Sequence, residues 1–410
     1  DFDTLEPEKH GSAIGALPII YRAINEIDAG IKTLERQIEN RTLNFKEQEF
    51  KPGYPERFAN QEFFPLKDYY KDWHDKENDA IIIDPKGTKG EMITLDGLNI
   101  WLPIPPKNKK DILFSKLPAE EQYWKRQEMP RGLTPDNEEE YADYILEEYR
   151  RRREGVWFMN NGKPIWVTPA HYMGLQWDQM LETGSFKDFR WAQCQMYYFA
   201  LACIVDKRSV GKLFVKGRRS GFTEMALDHF VQESTSIKNK AFGITSKTEA
   251  DAVKAFTKYS YAIRNLPFFF QPVVKGKIDD VKKMEFGKPS DNTKTSKQKR
   301  DTSTKDYLNV IVDYRATATL AYDSIAMKMY LGDEAGKWEK PNNYIDHWTN
   351  VKPTLQQGGN IVGKALIGST LNPLNRGGAE FQTLYYGSNV KYRDSNGETA
   401  TGLYSFFLPA

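Results

Sequence analysis

One stretch of the sequence combines residue types that bind phosphate groups. Residues 212–230 read KLFVKGRRSGFTEMALDHF, an apolar run followed by a loop rich in glycine and arginine and then by a helical pattern. In such a context, backbone N–H groups and a helix N-terminus can cradle phosphates. The usual loop ends in Gly-Lys-Thr, whereas this loop has Phe222 between Gly221 and Thr223. Lys216 opens the loop, so three hypotheses remain: a displaced lysine, a dead site or a chance glycine turn.

Two further groups of polar residues follow apolar runs downstream. Asp333 and Glu334 end the run MYLG. There, one carboxylate can order a Mg²⁺ shell and the next can activate a water molecule. The run ALI ends in small residues, Gly368, Ser369, Thr370 and Asn372, whose hydroxyl and amide groups can sense a γ-phosphate. Each group alone also fits an ordinary strand end, but the three groups in this order favour one nucleotide site at the carboxyl ends of parallel strands.

Apolar segments alternate with helical ones from about residue 155 onward. Such alternation predicts an α/β fold with a mostly parallel central sheet and helices on both faces. A buried helix is predicted over 189–205. The predicted strands are 164–168, 212–215, 241–245, 308–312, 325–332 and 363–369.

The first 153 residues have a different pattern, for which we expect an α+β accessory region. Apolar residues spaced by three and four predict a helix over 18–40, and short strands are expected within 80–105. Charged helices are predicted within 119–153. They end in four arginines at 150–153, whose flanking glutamates favour a solvated helix face over a nucleic-acid contact.

Bulk composition leaves the partner open. The 410 residues include 58 basic and 56 acidic side chains, and a net charge of +2 neither demands nor excludes nucleic acid. The two cysteines form no CxxC pair, which fits a reducing compartment. No apolar run approaches the length of a membrane span, so we expect a soluble intracellular protein. The stretch 287–306 is poor in apolar residues and rich in lysine, which predicts an exposed loop.

The set KGRRSGFT, MYLGDEAG and IGSTLN resembles the large terminase subunit of tailed bacteriophages. The loop is similar to the deviant Walker A motif of lambda-type terminases, in which the lysine stands at the front and an aromatic residue follows the second glycine. Lys216 and Phe222 match those two features, and the resemblance covers about residues 165–375. It implies a P-loop NTPase of the ASCE/RecA-like class that uses ATP and Mg²⁺, and it favours the displaced lysine.

The resemblance also implies roles for the matching residues. Thr223 and Asp333 would hold Mg²⁺, and Glu334 would activate water. Arg219, with Arg218 as second choice, would act as an arginine finger in cis. The implied nucleotide-binding residues are Arg190, Gln193, Lys216, Gly217, Ser220, Gly221, Phe222 and Thr223, with Gln193 reading adenine. The implied coupling residues are Gly368, Ser369, Thr370 and Asn372.

The family further implies a motor that translocates double-stranded DNA into the procapsid through the portal. The implied partners are double-stranded DNA, held through its backbone, the portal protein and the small terminase subunit. Subunits would be monomeric in isolation and form a homo-oligomeric ring on the procapsid, in the cytoplasm of the infected bacterial host. Lysines of 287–306 are the first candidate for DNA contacts, and the arginines at 150–153 are the second.

We therefore expect an accessory region over 1–153, an ATPase core over 154–380 and the start of a linker or lid over 381–410. The nuclease domain that large terminases usually carry does not fit after the coupling residues, so the chain is expected to be the ATPase half. Two alternatives remain. One is another nucleic-acid-dependent P-loop ATPase of helicase type, although no second motor-like domain is evident. The other is a non-catalytic docking module with a degenerate loop, suggested by Phe222.

Overall fold

The computed structural model describes residues 24–25, 27–28, 31–32, 70, 72–275, 282–287, 308–338 and 342–408. The chain divides into two compact units, Asp1–Lys51 and Pro52–Ala410. The described residues of the first unit are helical, but most of the helix predicted over 18–40 lies outside the described residues. Apart from Gly287, so does the loop predicted over 287–306.

The second unit contains both β-strands and α-helices, numbered here in chain order. The strands are β1 (His74–Asp75), β2 (Ala80–Ile82), β3 (Met92–Leu95), β4 (Leu98–Trp101), β5 (Val156–Asn160), β6 (Lys163–Val167), β7 (Gly211–Lys216), β8 (Ala241–Thr245), β9 (Val274–Lys275), β10 (Lys283–Phe286), β11 (Val310–Tyr314), β12 (Met327–Asp333), β13 (Gln356–Gln357), β14 (Asn360–Ile361), β15 (Lys364–Ser369) and β16 (Leu403–Leu408). The α-helices are α1 (Ala142–Glu154), α2 (Pro169–Gln176), α3 (Trp191–Val205), α4 (Phe222–Ser234), α5 (Glu249–Asn265), α6 (Tyr344–Val351) and α7 (Gly378–Gly387). Within the described ranges, none of the helices combines the length and apolar character needed to cross a membrane.

The described strands build a large central sheet in the order β16-β7-β15-β12-β8-β11-β10-β9. From β16 to β11 the neighbouring strands are parallel, and β10 pairs antiparallel with both β11 and β9. Helices flank this sheet: α3 packs against β7 and β16, and α5 packs against β8 and β11. The predicted α/β fold is confirmed. One strand, β15, lies between β7, which leads into the glycine-rich loop, and β12, which ends in the acidic pair.

The three strands β7, β15 and β12 have largely apolar, buried sequences. Every residue of β12 and of β15 is buried, as is every residue of β7 before Lys216. Parallel strands covered on both faces require mostly apolar runs, and these three each include one buried lysine, Lys212, Lys364 or Lys328. Since β7, β15 and β12 are parallel neighbours, their carboxyl ends lie at one edge of the sheet. This edge is where the polar residues singled out in the sequence come together.

The segment 119–153 is less helical than predicted. It begins with a 3-10 turn over Ala119–Glu121, and helix resumes only with a 3-10 segment over Pro135–Tyr141 that leads into α1. Pro130 and Pro135 disfavour helical backbone at the residues before them. Between the two helical parts, Gln122 anchors the extended chain: its carbonyl accepts the N–H of Asn161, and its side chain accepts the N–H of Gly162.

The described part of the segment expected to begin a linker or lid, residues 381–408, ends in a strand of the central sheet. Residues 403–408 form β16, which pairs in parallel with the whole of β7. Leu403, Tyr404 and Phe406 are buried, and Phe406 stacks on Phe199 of α3 with ring centroids 4.8 Å apart. The last described strand is therefore part of the core, next to the strand that carries the loop.

A small sheet in the order β1-β2-β4-β3 docks on the core through two aspartates. Asp79 forms ion pairs with Arg208, before β7, and with Arg393, before β16. Asp96 accepts the backbone N–H of Phe407 at 3.0 Å, at the edge of β16. The accessory strands thus cover part of the edge of the central sheet, which limits the exposure of unpaired backbone groups.

Candidate functional site

The glycine-rich loop connects the end of β7 to the start of α4. Gly221 has a φ of +88°, in the left-handed region that glycine tolerates without strain. A Cβ atom on Gly221 would lie 2.3 Å from Nε2 of Gln193, so the site requires glycine for space as well. Gln193 itself donates to the carbonyl oxygen of Ser220 at 3.2 Å. The residue predicted to read adenine therefore braces the loop directly.

Phe222 occupies the position where the usual loop has its lysine, and it lies in the core. Its ring is 1% exposed and contacts Phe214 of β7 edge to face, with centroids 5.8 Å apart. A Cβ on Gly368 would approach this ring to 2.6 Å, so glycine at 368 leaves room for it. The ammonium of Lys216 lies 5.2 Å from the centroid of the Phe222 ring, within the range of a cation–π contact. Phe222 thus packs beneath the loop and supports the displaced lysine.

Lys216 meets the two acidic residues at the end of β12. Its Nζ lies 3.8 Å from Oδ1 of Asp333 and 3.5 Å from Oε1 of Glu334. The hydroxyl of Thr223, in the first turn of α4, donates to Oδ2 of Asp333 at 2.9 Å. The structure therefore brings together the four residues to which the sequence assigned phosphate, metal and water chemistry.

The two carboxyl groups have opposite pKa shifts. Burial raises the pKa of Asp333 above its ordinary value; Lys216 opposes this shift and Glu334 adds to it. Burial also acts to raise the pKa of Glu334, but Lys337 and Lys216 outweigh it, and the net pKa is lowered. Glu334 therefore stays ionised near neutral pH, as a general base must. Its φ of +52° is unusual for a residue other than glycine.

The predicted coupling residues have different environments. The hydroxyl of Thr370 donates to Oε2 of Glu334 at 3.3 Å. The hydroxyl of Ser369 donates to the carbonyl oxygen of Thr370 at 2.8 Å and lies 3.5 Å from Oε2 of Glu334. Gly368 underlies Phe222, as described above. The side chain of Asn372 instead donates to the carbonyl oxygen of Arg376 within its own turn. The structure thus links three of the four residues to the loop or the acidic pair.

A cleft of about 640 Å³ opens beside the loop. Arg219 lines it, whereas Arg218 and Gly217 lie outside the lining; both arginines are exposed. The hydroxyl of Ser220 is buried without a hydrogen-bond partner. The lining residues are Met180, Glu182, Thr183, Lys187, Asp188, Arg190, Gln193, Tyr197, Lys216, Arg219, Ser220, Gly221, Phe222, Thr223, Glu224, Met225 and Lys258.

Sequence reasoning missed several charged residues at this site. Lys337 forms an ion pair with Oε2 of Glu334 at 2.8 Å, and its spacing of three residues from Glu334 was the available signal. Lys187 and Lys258 line the cleft, and their acidic partners on α4, Asp228 and Glu224, lie far from them in the sequence. No spacing pattern in the sequence marks those contacts.

The structure describes one of the two segments predicted to contact DNA, the arginines at 150–153, and only Gly287 of the other. Residues 288–306 lie outside the described residues. Of the four arginines at 150–153, Arg152 is fully buried and donates to the carbonyl oxygen of Gln232 at 2.8 Å. The other three form ion pairs with glutamates of α1. The charges of this run are thus largely neutralised within the fold.

The fold is α/β, with the loop, the acidic strand end and the intervening polar strand end at one edge of a mostly parallel sheet. No family model and no curated protein matches the chain. Solved structures similar to it include an ATPase-domain mutant of the large terminase from Thermus phage P74-26, with 17% sequence identity and a TM-score of 0.36. That match covers 54% of this chain and 81% of the other. The large terminase of bacteriophage HK97 is 12% identical with a TM-score of 0.38, and the match covers 57% of this chain and 42% of the other.

Proposed function

We propose that this chain is a Mg²⁺-dependent ATPase and the motor domain of a phage large terminase, which drives double-stranded DNA into the procapsid through the portal. One observation carries the ATPase assignment. The ammonium of Lys216, at the front of the loop, lies within 4 Å of both carboxylates at the end of β12. The terminase assignment rests on the motif resemblance around residues 216–223, 329–336 and 367–372.

When the triphosphate binds, Lys216 would exchange its carboxylate partners for phosphate groups. Lys216 now lies against Asp333 and Glu334, and it would turn to the β- and γ-phosphates. The start of α4 presents the backbone N–H groups that favour anions. Arg219 lines the same cleft and would stabilise the charge of the transferring phosphoryl group, a contribution worth about 10³–10⁵ in rate in other NTPases. Gln193 and Arg190, also in the lining, would face adenine.

The donor set fits Mg²⁺. Thr223 and Asp333 offer a hydroxyl and a carboxylate 2.9 Å apart, and Mg²⁺ in such sites takes one or two protein oxygens with phosphate and water completing the shell. The raised pKa of buried Asp333 marks a carboxylate that an additional cation would stabilise. When bound, the ion would neutralise charge on the phosphate oxygens. Across the described ranges, no group of three or more His, Cys, Asp or Glu side chains could hold a metal ion.

Glu334 would accept the proton of the attacking water. Its hydrogen bond from Thr370, with the Ser369 hydroxyl 3.5 Å away, connects the proposed base to the end of β15. Loss of the γ-phosphate would change the contacts of Glu334 and shift that strand end, which gives hydrolysis a route to a moving part. Double-stranded DNA, the portal protein and the small terminase subunit are the proposed partners, in a ring assembled on the procapsid in the host cytoplasm.

Glu334→Gln and Lys216→Met test the ATPase proposal together. We expect Glu334→Gln to retain ATP binding by calorimetry and to lower kcat by about 10²–10⁴, the usual contribution of a general base. We expect Lys216→Met to lower kcat/KM by about 10²–10³, the usual effect of losing one preorganised electrostatic contact.

Lys212→Met is the matched control. Lys212 is on the same strand but fully buried, with Nζ 2.9 Å from Sδ of Met225, so methionine fits its apolar surroundings. Equal losses in Lys216→Met and Lys212→Met would contradict the assigned lysine. If the wild-type chain neither binds nor hydrolyses ATP with DNA and procapsid present, the protein is a docking module. DNA-stimulated hydrolysis with strand separation and no packaging would instead indicate a helicase-type motor.

A further inference from the structure

A short hairpin forms one wall of the cleft, at residues 178–187, which we call the cleft hairpin. Its turn is closed by backbone hydrogen bonds from Met180 to Ser185 and from Gly184 to Met180. Met180, Glu182 and Thr183 line the cleft. Since the phosphate-binding residues lie at the loop, a nucleotide extending along the cleft would place its base or ribose near this hairpin.

A buried ionic cluster fixes the base of the cleft hairpin. The ammonium of Lys187 donates to Asp178 at 2.8 Å and to Asp228 of α4 at 2.5 Å. Asp228 is fully buried and also accepts the hydroxyl of Tyr197. Removing one member of such a cluster leaves a buried charge unpaired, which is strongly destabilising. This half of the hairpin is therefore a permanent part of the core.

The tip of the cleft hairpin is held by a second, more exposed lysine. Lys258 of α5 lies 2.5 Å from Oε1 of Glu182 at the tip and 2.6 Å from Oε1 of Glu224 in the first turn of α4. The side chain of Glu182 is 56% exposed, whereas those of Lys258 and Glu224 are 23% and 22% exposed. One ammonium thus bridges the hairpin tip to the helix that carries Thr223.

The ion pairs of Lys258 join two walls of the cleft, so they can affect how the cleft binds a nucleotide. Partly exposed ion pairs are weak and screened by salt, so the hairpin tip can open at little cost while its base stays fixed. We infer that Lys258 is a positioning residue for the nucleotide, holding the hairpin tip against α4 so that the cleft is formed before ATP arrives. This inference rests on the proposed ATPase function.

Lys258→Met, Glu182→Gln and the double variant test this inference. We expect each single change to raise KM and Kd for ATP about two- to fivefold, the size that a partly exposed ion pair supports, with kcat unchanged. The double variant should be no worse than Lys258→Met alone, since Lys258→Met already removes the contact with Glu182. Lys258→Arg should restore most of the affinity. Hydrogen–deuterium exchange at residues 180–186 should accelerate in Lys258→Met without nucleotide and slow when ATP is added.

Lys254→Met is the matched control, because Lys254 is one turn earlier on α5, 74% exposed and paired only with Asp251 at 3.3 Å among the described ion pairs. Three results would overturn the inference: unchanged exchange at the hairpin, additive losses in the double variant, or an equal rise in KM from Lys254→Met. If exchange accelerates but the wild type binds no ATP, the proposed function fails and the hairpin contact remains as a structural bridge without a nucleotide role.

Discussion

Glu334 has the most connected side chain of the proposed site. Lys216 lies at one carboxylate oxygen, while Lys337, Ser369 and Thr370 surround the other. Without nucleotide, therefore, the proposed base is held by cations and hydroxyls. Phosphates that draw Lys216 away would leave the Glu334 carboxylate with Lys337 and the hydroxyls, oriented but less neutralised. The reactivity of the base would then depend on whether the triphosphate is present.

The pH dependence of activity should show the effect of Lys337 on the pKa of Glu334. Burial raises the pKa of Glu334, but Lys337 is the strongest of the influences that lower it, and the net pKa lies below its ordinary value. We expect Lys337→Met to raise this pKa, so the acidic limb of the kcat/KM profile should move to higher pH. Steady-state rates across the acidic range, with Lys254→Met alongside, would measure the shift.

Lys337→Met should also change the free energy of unfolding and its dependence on pH. A carboxyl group with a lowered pKa contributes stability that is present above its unfolded-state pKa and lost as the pH falls through the folded-state pKa. Lys337→Met should therefore lower the free energy of unfolding at neutral pH and reduce its loss on acidification. A pH–rate profile identical to that of the wild type would show that Glu334 does not set the acidic limb.

At the scale of elements, the loop is positioned by contacts that no single motif contains. Phe222 at the start of α4 packs on Gly368 of β15, and Gly221 packs on Gln193 of α3. The loop is thus fixed against the strand of the coupling residues on one side and the helix of the proposed adenine reader on the other. A shift in β15 would therefore move the ring of Phe222, which contacts both Gly368 and Lys216.

Gly368→Ala tests this packing without changing a group that would touch nucleotide. The new methyl would lie 2.6 Å from the Phe222 ring, and overpacking of this kind costs about 1–3 kcal/mol. We expect a lower melting temperature and, because the displaced ring carries the loop, weaker ATP binding by calorimetry. Gly287→Ala is the control, since its methyl would approach no closer than 4.0 Å to the side chain of Lys275. Unchanged ATP affinity in Gly368→Ala would show that Phe222 does not position the loop.

The strands were predictable because their apolar runs are long and end in polar residues. The strand predicted over 241–245 is β8 itself, and those over 212–215 and 363–369 differ from β7 and β15 by two residues or fewer. Of the charged helices predicted within 119–153, helical structure is found at 119–121 and from residue 135 onward, and between these parts prolines and tertiary anchors such as Gln122 override the pattern of charge. The cleft hairpin was not predictable, since its partners on α4 and α5 are distant in sequence.

At the scale of the whole molecule, the order of the strands in the central sheet brings the residues of the proposed nucleotide site together. The sequence predicts parallel strands but not their order, which depends on how each crossover packs. Because β15 lies between β7 and β12, the loop, the acidic pair and the coupling residues converge at one edge. The sequence also contains no sign that β16, which follows the expected boundary at residue 381, pairs with β7.

The most direct measurement is a crystal structure of the chain with Mg²⁺ and a non-hydrolysable ATP analogue. The account predicts the β- and γ-phosphates between the start of α4 and the end of β12. The ammonium of Lys216 should lie on those phosphates, Thr223 and Asp333 on the metal, and Glu334 beside the γ-phosphate. A triphosphate bound elsewhere, or one bound in the cleft while Lys216 stays on Asp333 and Glu334, would contradict it.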